Sequence, residues 1–211
     1  MPTGVHLRDA REQLFAAAER VLLRDGPNAL TSRAVTTEAG VAKGVLHRHF
    51  TDFDAFIVEL MRDRVNRVEA QAAALRASAG TGTVAGNLTA ALTELFGSVA
   101  MGIVALVIFR DDLRVRLGEA GLGRLPVLGQ GTAMIRGYLA AERDLGRIAA
   151  DADLDTIGLA LTGSGHLLFT DHAPGQDTGQ DTDQKPDPRA IHAMVTTVLA
   201  GVVTAAENRA T

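Results

Sequence analysis

Residues 30–50 of the chain decide the fold, and they read Leu-Thr-Ser-Arg-Ala-Val-Thr-Thr-Glu-Ala-Gly-Val-Ala-Lys-Gly-Val-Leu-His-Arg-His-Phe. Thr31 can act as the N-cap of a first short helix, which Gly40 ends. A second short helix follows after only a few residues and carries Leu46 and Phe50, four residues apart, on its buried side. Two short helices joined by a tight turn that contains glycine predict a helix-turn-helix.

The sequence on both sides of this motif is also helical in pattern. Residues 7–24 carry apolar side chains at three- and four-residue spacing, and Gly26 with Pro27 ends that helix. The spacing of Thr51 and Asp54 resembles a capping box at the start of a longer helix. No alternating strand pattern with hairpin turns occurs, so we predict an all-α protein. The predicted helices after the first two span residues 43–50, 51–75, 87–96, 99–116, 127–145, 154–170 and 188–206.

Composition narrows the class of protein further. The chain has 211 residues, of which 46% are hydrophobic and 22% are charged, as in ordinary globular proteins. It contains no cysteine, which excludes disulfides, thiolate nucleophiles and iron-sulfur clusters. Residues 1–50 hold 7 Lys and Arg against 5 Asp and Glu, whereas the remainder is acidic. A mildly basic N-terminal segment is compatible with nucleic-acid binding, although the charge alone is too weak to argue it.

The N-terminal residues contain no apolar segment typical of a secretory signal peptide. The most apolar run, residues 99–109, has 11 residues, whereas a membrane span needs about 20. We therefore expect a cytoplasmic protein without a membrane partner.

The motif at residues 30–50 closely resembles the N-terminal DNA-binding segment of the TetR (tetracycline repressor) family. The matching residues include Thr31, the turn Glu38-Ala39-Gly40-Val41, the pair Lys43-Gly44, and the stretch from Leu46 to Phe50. The resemblance extends to Phe15, Ala18 and Gly26 before the motif and to Leu60 after it. It implies a three-helix DNA-binding domain, here residues 1–50, linked through a helix over residues 51–75. Residues 51–211 would form a helical ligand-binding and dimerisation domain.

A recognition helix must enter a major groove about 12 Å wide, so its outer face needs small or polar residues. Gly44 and Val45 allow close approach, and Lys43 can reach a base edge or a phosphate. The resemblance implies phosphate and sugar contacts for His47, Arg48 and His49, with Arg48 the best candidate for guanine. The predicted DNA-binding residues are Thr31, Ser32, Arg33, Ala42, Lys43, Gly44, Val45, His47, Arg48 and His49.

Three positions depart from the family pattern. Ala42 stands where a hydroxyl-bearing cap is usual, which removes a cap worth about 1 kcal/mol and a phosphate contact. Phe53 replaces a lysine that often binds phosphate, and Thr36 replaces a small residue in the core of the first short helix. Arg8 and Arg11, on the helix before the motif, are interpreted either as its solvated face or as minor DNA contacts.

The resemblance also implies a small-molecule effector, which we expect to be apolar or amphipathic. Candidate contacts are Met101, Val104, Phe109, Arg110, Tyr138, His166 and Phe169, although core packing explains the apolar ones equally well. The last two helices have wide apolar stripes, which fit either a monomer core or the four-helix bundle of a homodimer. Candidate dimer residues are Leu161, Gly165, Leu168, Ile191, Val195, Val198 and Val202.

No enzymatic machinery is visible in the sequence. Residues 163–166 lack the Gly-x-Ser-x-Gly pattern of a nucleophile elbow, and no Walker or HExxH motif occurs. We therefore predict no catalytic residue, no metal site and no cofactor. The hypothesis is a repressor that binds palindromic double-stranded DNA as a homodimer and is released by its effector. The alternatives are a DNA-binding regulator controlled by a protein partner or by nothing, and a small-molecule-binding enzyme or carrier with a vestigial helix-turn-helix.

Overall fold

The computed structural model describes residues 3–170 and 186–204, and their secondary structure is helical apart from one isolated antiparallel bridge between Ile148 and Val203. The predicted all-α fold is confirmed. The helices are α1 (Thr3–Asp25), α2 (Ser32–Glu38), α3 (Gly44–His49), α4 (Phe53–Ala77), α5 (Val84–Leu95), α6 (Ser98–Ile108), α7 (Asp111–Glu119), α8 (Pro126–Asp144), α9 (Leu154–Thr170) and α10 (Pro188–Val198).

Side-chain caps explain where several of these helices begin. Thr31 accepts a hydrogen bond from the Ala34 N–H at 3.1 Å, as predicted for the start of α2. Asp187 accepts one from the Arg189 N–H at 2.9 Å at the start of α10. Helix α4 begins two residues later than the sequence predicts, because Asp52 rather than Thr51 caps it through the Ala55 N–H at 2.7 Å.

The described part of the chain divides into two compact units that are not contiguous in sequence. The first contains residues 3–63 and 98–125, whereas the sequence predicted a single boundary at residue 50. Helix α1 packs here against α2 and α6. Gly102 lets α6 approach α1 closely, since a Cβ at this position would lie 3.3 Å from the Leu22 Cβ.

The second unit contains residues 64–97, 126–170 and 186–204. Helix α9 packs on α8, and α10 packs on α5 and α9. The helices come close at glycines: a Cβ on Gly165 would lie 2.8 Å from the Phe96 ring, and one on Gly131 would lie 2.6 Å from a Leu95 methyl group. The core of this unit is therefore fitted to small residues at particular positions.

Two predicted helices differ from the structure. The single helix over residues 99–116 is divided into α6 and α7, because Arg110 has an extended backbone (φ −126°, ψ 94°) and a new helix starts at Asp111 and Asp112. Two acidic residues in the first turn favour the start of a helix, so the sequence already indicated a helix start at this point. The last helix ends at Val198 rather than at residue 206.

The early end of α10 is stabilised by a strand-like contact within the second unit. Gly201 has φ 84°, a backbone conformation that glycine adopts readily. Beyond it, the Ala149 N–H donates to the Val202 carbonyl at 2.8 Å, and the Thr204 N–H donates to the Arg147 carbonyl at 3.0 Å. Val202, predicted on the helical stripe, therefore lies outside the helix, in the turn that precedes the bridged residue Val203.

Candidate nucleic-acid interface

Helix α2 is fixed by its cap and by its buried face. Val35 and Thr36 point inward, and the Thr36 hydroxyl donates within the helix to the carbonyl oxygens of Ser32 and Arg33 at 2.9 and 3.2 Å. The hydroxyl that this departure from the family pattern introduces is therefore paired within the helix. Thr31 and Arg33 are exposed, and Ser32 is half-buried.

The turn between α2 and α3 requires a glycine. Gly40 has φ 66°, and its N–H donates to the Thr37 carbonyl at 3.1 Å. The next residue, Val41, donates to the Thr36 carbonyl at 3.0 Å. A side chain at residue 40 would be strained in this left-handed conformation, so the turn geometry depends on glycine.

Helix α3 has one anchored face and one exposed face. Leu46 is fully buried, and the Phe50 ring lies among the Phe15 and Phe56 rings with centroid separations of 6.0 and 5.1 Å. Val45 and His49 are half-buried at the edges. The exposed residues are Ala42, Lys43, Gly44, His47 and Arg48, so five of the predicted DNA-binding residues share the outward face of one short segment.

The N-cap position of α3 is occupied by Lys43 and not, as the sequence predicts, by Ala42, and no side chain caps the helix. The helix start is held by a backbone bond from the Val45 N–H to the Ala42 carbonyl at 2.9 Å. A Cβ on Gly44 would meet nothing within 4 Å in the protein. Packing inside the chain therefore does not require glycine at this position.

Ion pairs that the sequence analysis missed connect α1 to the motif. Arg20 and Arg24 both donate to the Glu38 carboxylate, at 2.7 and 2.8 Å, and these hydrogen bonds lower the pKa of Glu38. Arg11 pairs with Glu59 at 2.9 Å, and its guanidinium lies 4.7 Å from the centre of the Phe50 ring. Arg11 thus supports the aromatic cluster, while the side chain of Arg8 lies outside the described residues.

Four of the predicted effector contacts lie in the first unit. Met101 and Val104 are buried in α6, whereas Phe109 is 84% exposed at its C-terminal end. Arg110 is engaged by Asp54 at 3.0 Å and by Asp112 at 2.7 Å. The hydrogen bond to Asp112 is the main cause of a raised Arg110 pKa.

The other three predicted effector contacts lie in the second unit. Phe96 brings two of them together, because its ring centroid is 5.6 Å from that of Phe169 and 6.2 Å from that of His166. Burial lowers the pKa of His166, and its Nδ1 atom has no hydrogen-bond partner among the described residues. Tyr138 is completely buried, and burial followed by the Glu142 carboxylate raises the pKa of its phenol.

A buried polar cluster surrounds Tyr138, and nothing in the sequence pattern predicted it. The phenol donates to the Glu142 carboxylate and accepts a hydrogen bond from the Asn87 amide at 2.9 Å. Glu142 pairs with Arg147 at 3.2 Å, and both are almost fully buried. Glu142 and Arg147 also bind the backbone of residues 80 and 82, at 3.2 and 2.6 Å. The cluster therefore joins the C-terminal end of α8 to the loop between α4 and α5.

A cleft of about 180 Å³ in the second unit opens between α4, α5 and α8. Its apolar lining includes Leu75, Ala91 and Met134, and Asn87 joins it to the Tyr138 cluster. The Gln71 amide donates to the Glu94 carboxylate at 2.8 Å at its polar side. None of the seven predicted effector residues lines this cleft.

The predicted dimer residues lie mostly inside the second unit. Leu161, Gly165, Ile191 and Val195 are buried within one copy of the chain, so their first role is in its core. Leu168, Val198 and Val202 are half-buried. The exposed apolar residues of α9 are instead Leu159 and Leu167, at 67% and 66% exposure.

Among the residues that the structure describes, none of the helices combines the length and the apolar composition of a membrane span. Within the same described residues, no group of three or more His, Asp or Glu side chains is placed to hold a metal ion.

The anchored α2–α3 pair with a basic, exposed second helix defines a helix-turn-helix DNA-binding protein. Residues 14–60 match the family model described as bacterial regulatory proteins, tetR family. Residues 14–60 therefore carry a DNA-binding segment of the TetR type, which confirms the resemblance over this part of the chain.

Solved structures match nearly the whole chain in fold. A transcriptional regulator from Rhodococcus sp. Rha1 is 21% identical, with a TM-score of 0.68, over 91% of this chain and 97% of that one. FadR from Bacillus subtilis, in complex with stearoyl-CoA, is 17% identical, with a TM-score of 0.63, over 90% and 98%. The fatty acid degradation regulator FadR from Bacillus halodurans is 16% identical, with a TM-score of 0.67, over 91% and 95%. No curated protein matches the chain by sequence.

Proposed function

We propose that the protein is a repressor that binds a near-palindromic DNA operator as a homodimer and is released by a small amphipathic molecule. The observation that carries the proposal is the asymmetry of α3, which is anchored through Leu46 and Phe50 and exposes Lys43, His47 and Arg48. A helix built in this way can enter a major groove while its scaffold stays outside.

The exposed residues divide into two roles. Lys43 and Arg48 carry the charge and reach that a base edge or phosphate needs, with guanine the best partner for Arg48. Thr31, Ser32 and Arg33 surround the start of α2, where hydroxyls, backbone N–H groups and charge suit a phosphate. Gly44 supports close approach, because nothing inside the protein occupies the space beside it.

The homodimer would use the outer face of α9. Leu159, Gly163 and Leu167 are spaced four residues apart, so they form one exposed stripe along this helix. Two leucines more than 60% exposed on one helix face are unusual unless another surface covers them. A second copy of the chain covering this stripe would give the two-fold symmetry that a palindromic operator requires.

The effector would be amphipathic. Stearoyl-CoA in the Bacillus subtilis FadR structure has a long apolar chain and a charged head, and the fold likeness supports a related class of molecule here. The cleft between α4, α5 and α8 offers apolar walls and a polar side, although at about 180 Å³ it is smaller than usual ligand sites of about 300–1,000 Å³. Binding of the effector would therefore have to enlarge this cleft.

Selection of bound sequences from a random DNA pool by the purified protein tests the proposal. We expect a palindrome to be enriched and its affinity to fall with salt because phosphate contacts release counterions, with a slope made shallower by the phosphate contacts that Ala42 and Phe53 do not supply. The Lys43→Ala and Arg48→Ala double variant should lose specific binding while it stays folded and dimeric. Enrichment of no sequence by the folded wild-type protein, or unchanged operator affinity in the double variant, would contradict the proposed function.

A further inference from the structure

The chain passes from the recognition helix α3 into α4 within three residues. The side chain of Phe50 is buried, and Asp52 caps α4 by accepting a hydrogen bond from the Ala55 N–H at 2.7 Å. Only Thr51 stands between these two fixed residues. Because the connection is so short, the orientation of α3 depends on where α4 begins.

Arginines at both ends of α7 donate hydrogen bonds to acidic residues at the beginning of α4. Arg116, in the last turn of α7, donates to the two carboxylate oxygens of Asp52 at 2.9 and 3.1 Å. Arg110, at the N-cap position of α7, donates to both carboxylate oxygens of Asp54 at 3.0 Å. The two acidic residues flank Phe53, the first residue of α4, so both arginines act on the same helical turn.

The conformation of the α6–α7 junction supports this contact. Arg110 leaves the helical conformation, and its guanidinium also donates to Asp112 at 2.7 Å in the first turn of α7. This second bond fixes the arginine on its own helix while it reaches across to α4. The junction that divides the predicted helix over residues 99–116 is therefore also the place where α7 contacts the entrance of α4.

The pairs are too exposed to contribute much to stability. The side chains of Arg110 and Asp54 are 32% and 23% exposed, and those of Arg116 and Asp52 are 45% and 50% exposed. Ion pairs of this kind stabilise folding only slightly. In each pair a single guanidinium nitrogen contacts both carboxylate oxygens, which still restricts where the first turn of α4 lies relative to α7.

We infer that Arg110 and Arg116 are positioning residues for DNA binding, which fix the start of α4 and through it the orientation of α3. The inference rests on the proposed operator binding. The two arginines act through Asp54 and Asp52, and they need no contact with a phosphate. Their removal should therefore change the fit of α3 to the operator without changing the number of phosphates that the protein neutralises.

The test measures operator affinity of an Arg110→Gln and Arg116→Gln double variant over a range of salt concentrations. We expect a loss of about tenfold, the combined effect of two modest ion pairs. The slope of log affinity against log salt should stay at the wild-type value, whereas each lost phosphate contact would reduce it by about 0.9. Arg136→Gln is the matched control, since it breaks a similarly exposed pair with Asp155 in the second unit.

A charge-reversed pair separates positioning from simple damage. Arg110→Asp alone should bind the operator weakly, and adding Asp54→Arg should restore most of the affinity. Arg116→Lys keeps the charge, and because one nitrogen makes both contacts with Asp52, this variant should bind the operator more tightly than Arg116→Gln while the protein stays folded. Wild-type affinity in the double variant, a reduced salt slope, or no rescue by the reversed pair would each overturn the inference. Failure of the wild-type protein to select any operator would instead count against the proposed function.

Discussion

The arginine–carboxylate pairs at the surface of the first unit contrast with one buried pair in the second unit. In the first unit they lie at the surface, where Arg20 and Arg24 pair with Glu38, and they hold short helices beside the recognition helix. In the second unit Glu142 and Arg147 form a pair with almost no exposure. Water screens the exposed pairs, so they fix the relative positions of helices but add little to stability. Water is excluded from the buried pair, so the folded state depends on both of its charges being present.

The largest effect is expected from breaking the buried pair. Glu142→Ala leaves the Arg147 charge buried without its carboxylate and removes the acceptor of the Tyr138 phenol. We expect a loss of about 3–5 kcal/mol of unfolding free energy, measured by urea denaturation. Asp155→Ala, which breaks the exposed Arg136 pair, is the control and should cost less than about 1 kcal/mol. Equal losses of unfolding free energy in the two variants would show that burial does not determine how much such a pair contributes to stability.

A methyl group added in each unit extends the comparison to packing. Gly165→Ala would place its Cβ 2.8 Å from the buried Phe96 ring, so we expect a loss of about 1–3 kcal/mol in the second unit. Gly44→Ala meets open space in the first unit and should leave stability unchanged or slightly higher, while weakening operator binding. Urea denaturation and operator titration of both variants check this. Full operator affinity in Gly44→Ala would argue against close approach at this residue.

The smallest effect concerns pH and the surface pairs. Hydrogen bonds from Arg20 and Arg24 lower the pKa of Glu38 below its ordinary value of 4.5. A lowered pKa stabilises the folded state above the ordinary pKa, and this contribution is lost as the pH falls through the folded value. When the pH is lowered below about 4, the Tm of the Glu38→Gln variant should therefore fall less than the Tm of the wild type, as measured by thermal unfolding. Parallel curves for the two proteins would show that the pair contributes nothing.

The sequence predicted the helix-turn-helix of the first unit but not the buried polar cluster of the second, and the difference has a physical reason. The α2–α3 motif was readable because its caps, turn and anchors are local: Thr31, Gly40 and Leu46 each act within a few residues. The Glu142–Arg147 pair was not readable, because its burial depends on helices and a loop distant in sequence. The apolar stripe of α9 was recognised, but not which of its sides faces the core.

The sequence by itself determined the all-α class, the position of the helix-turn-helix and the resemblance to the TetR family, because short-range spacing encodes caps, turns and amphipathic faces. Tertiary structure decided the rest. It directed Arg110 toward Asp54 rather than leaving it inside a continuous helix, and it left Leu159 and Leu167 exposed while Leu161 entered the core. Such choices depend on which surfaces meet in space, and helical periodicity specifies a face without specifying its partner.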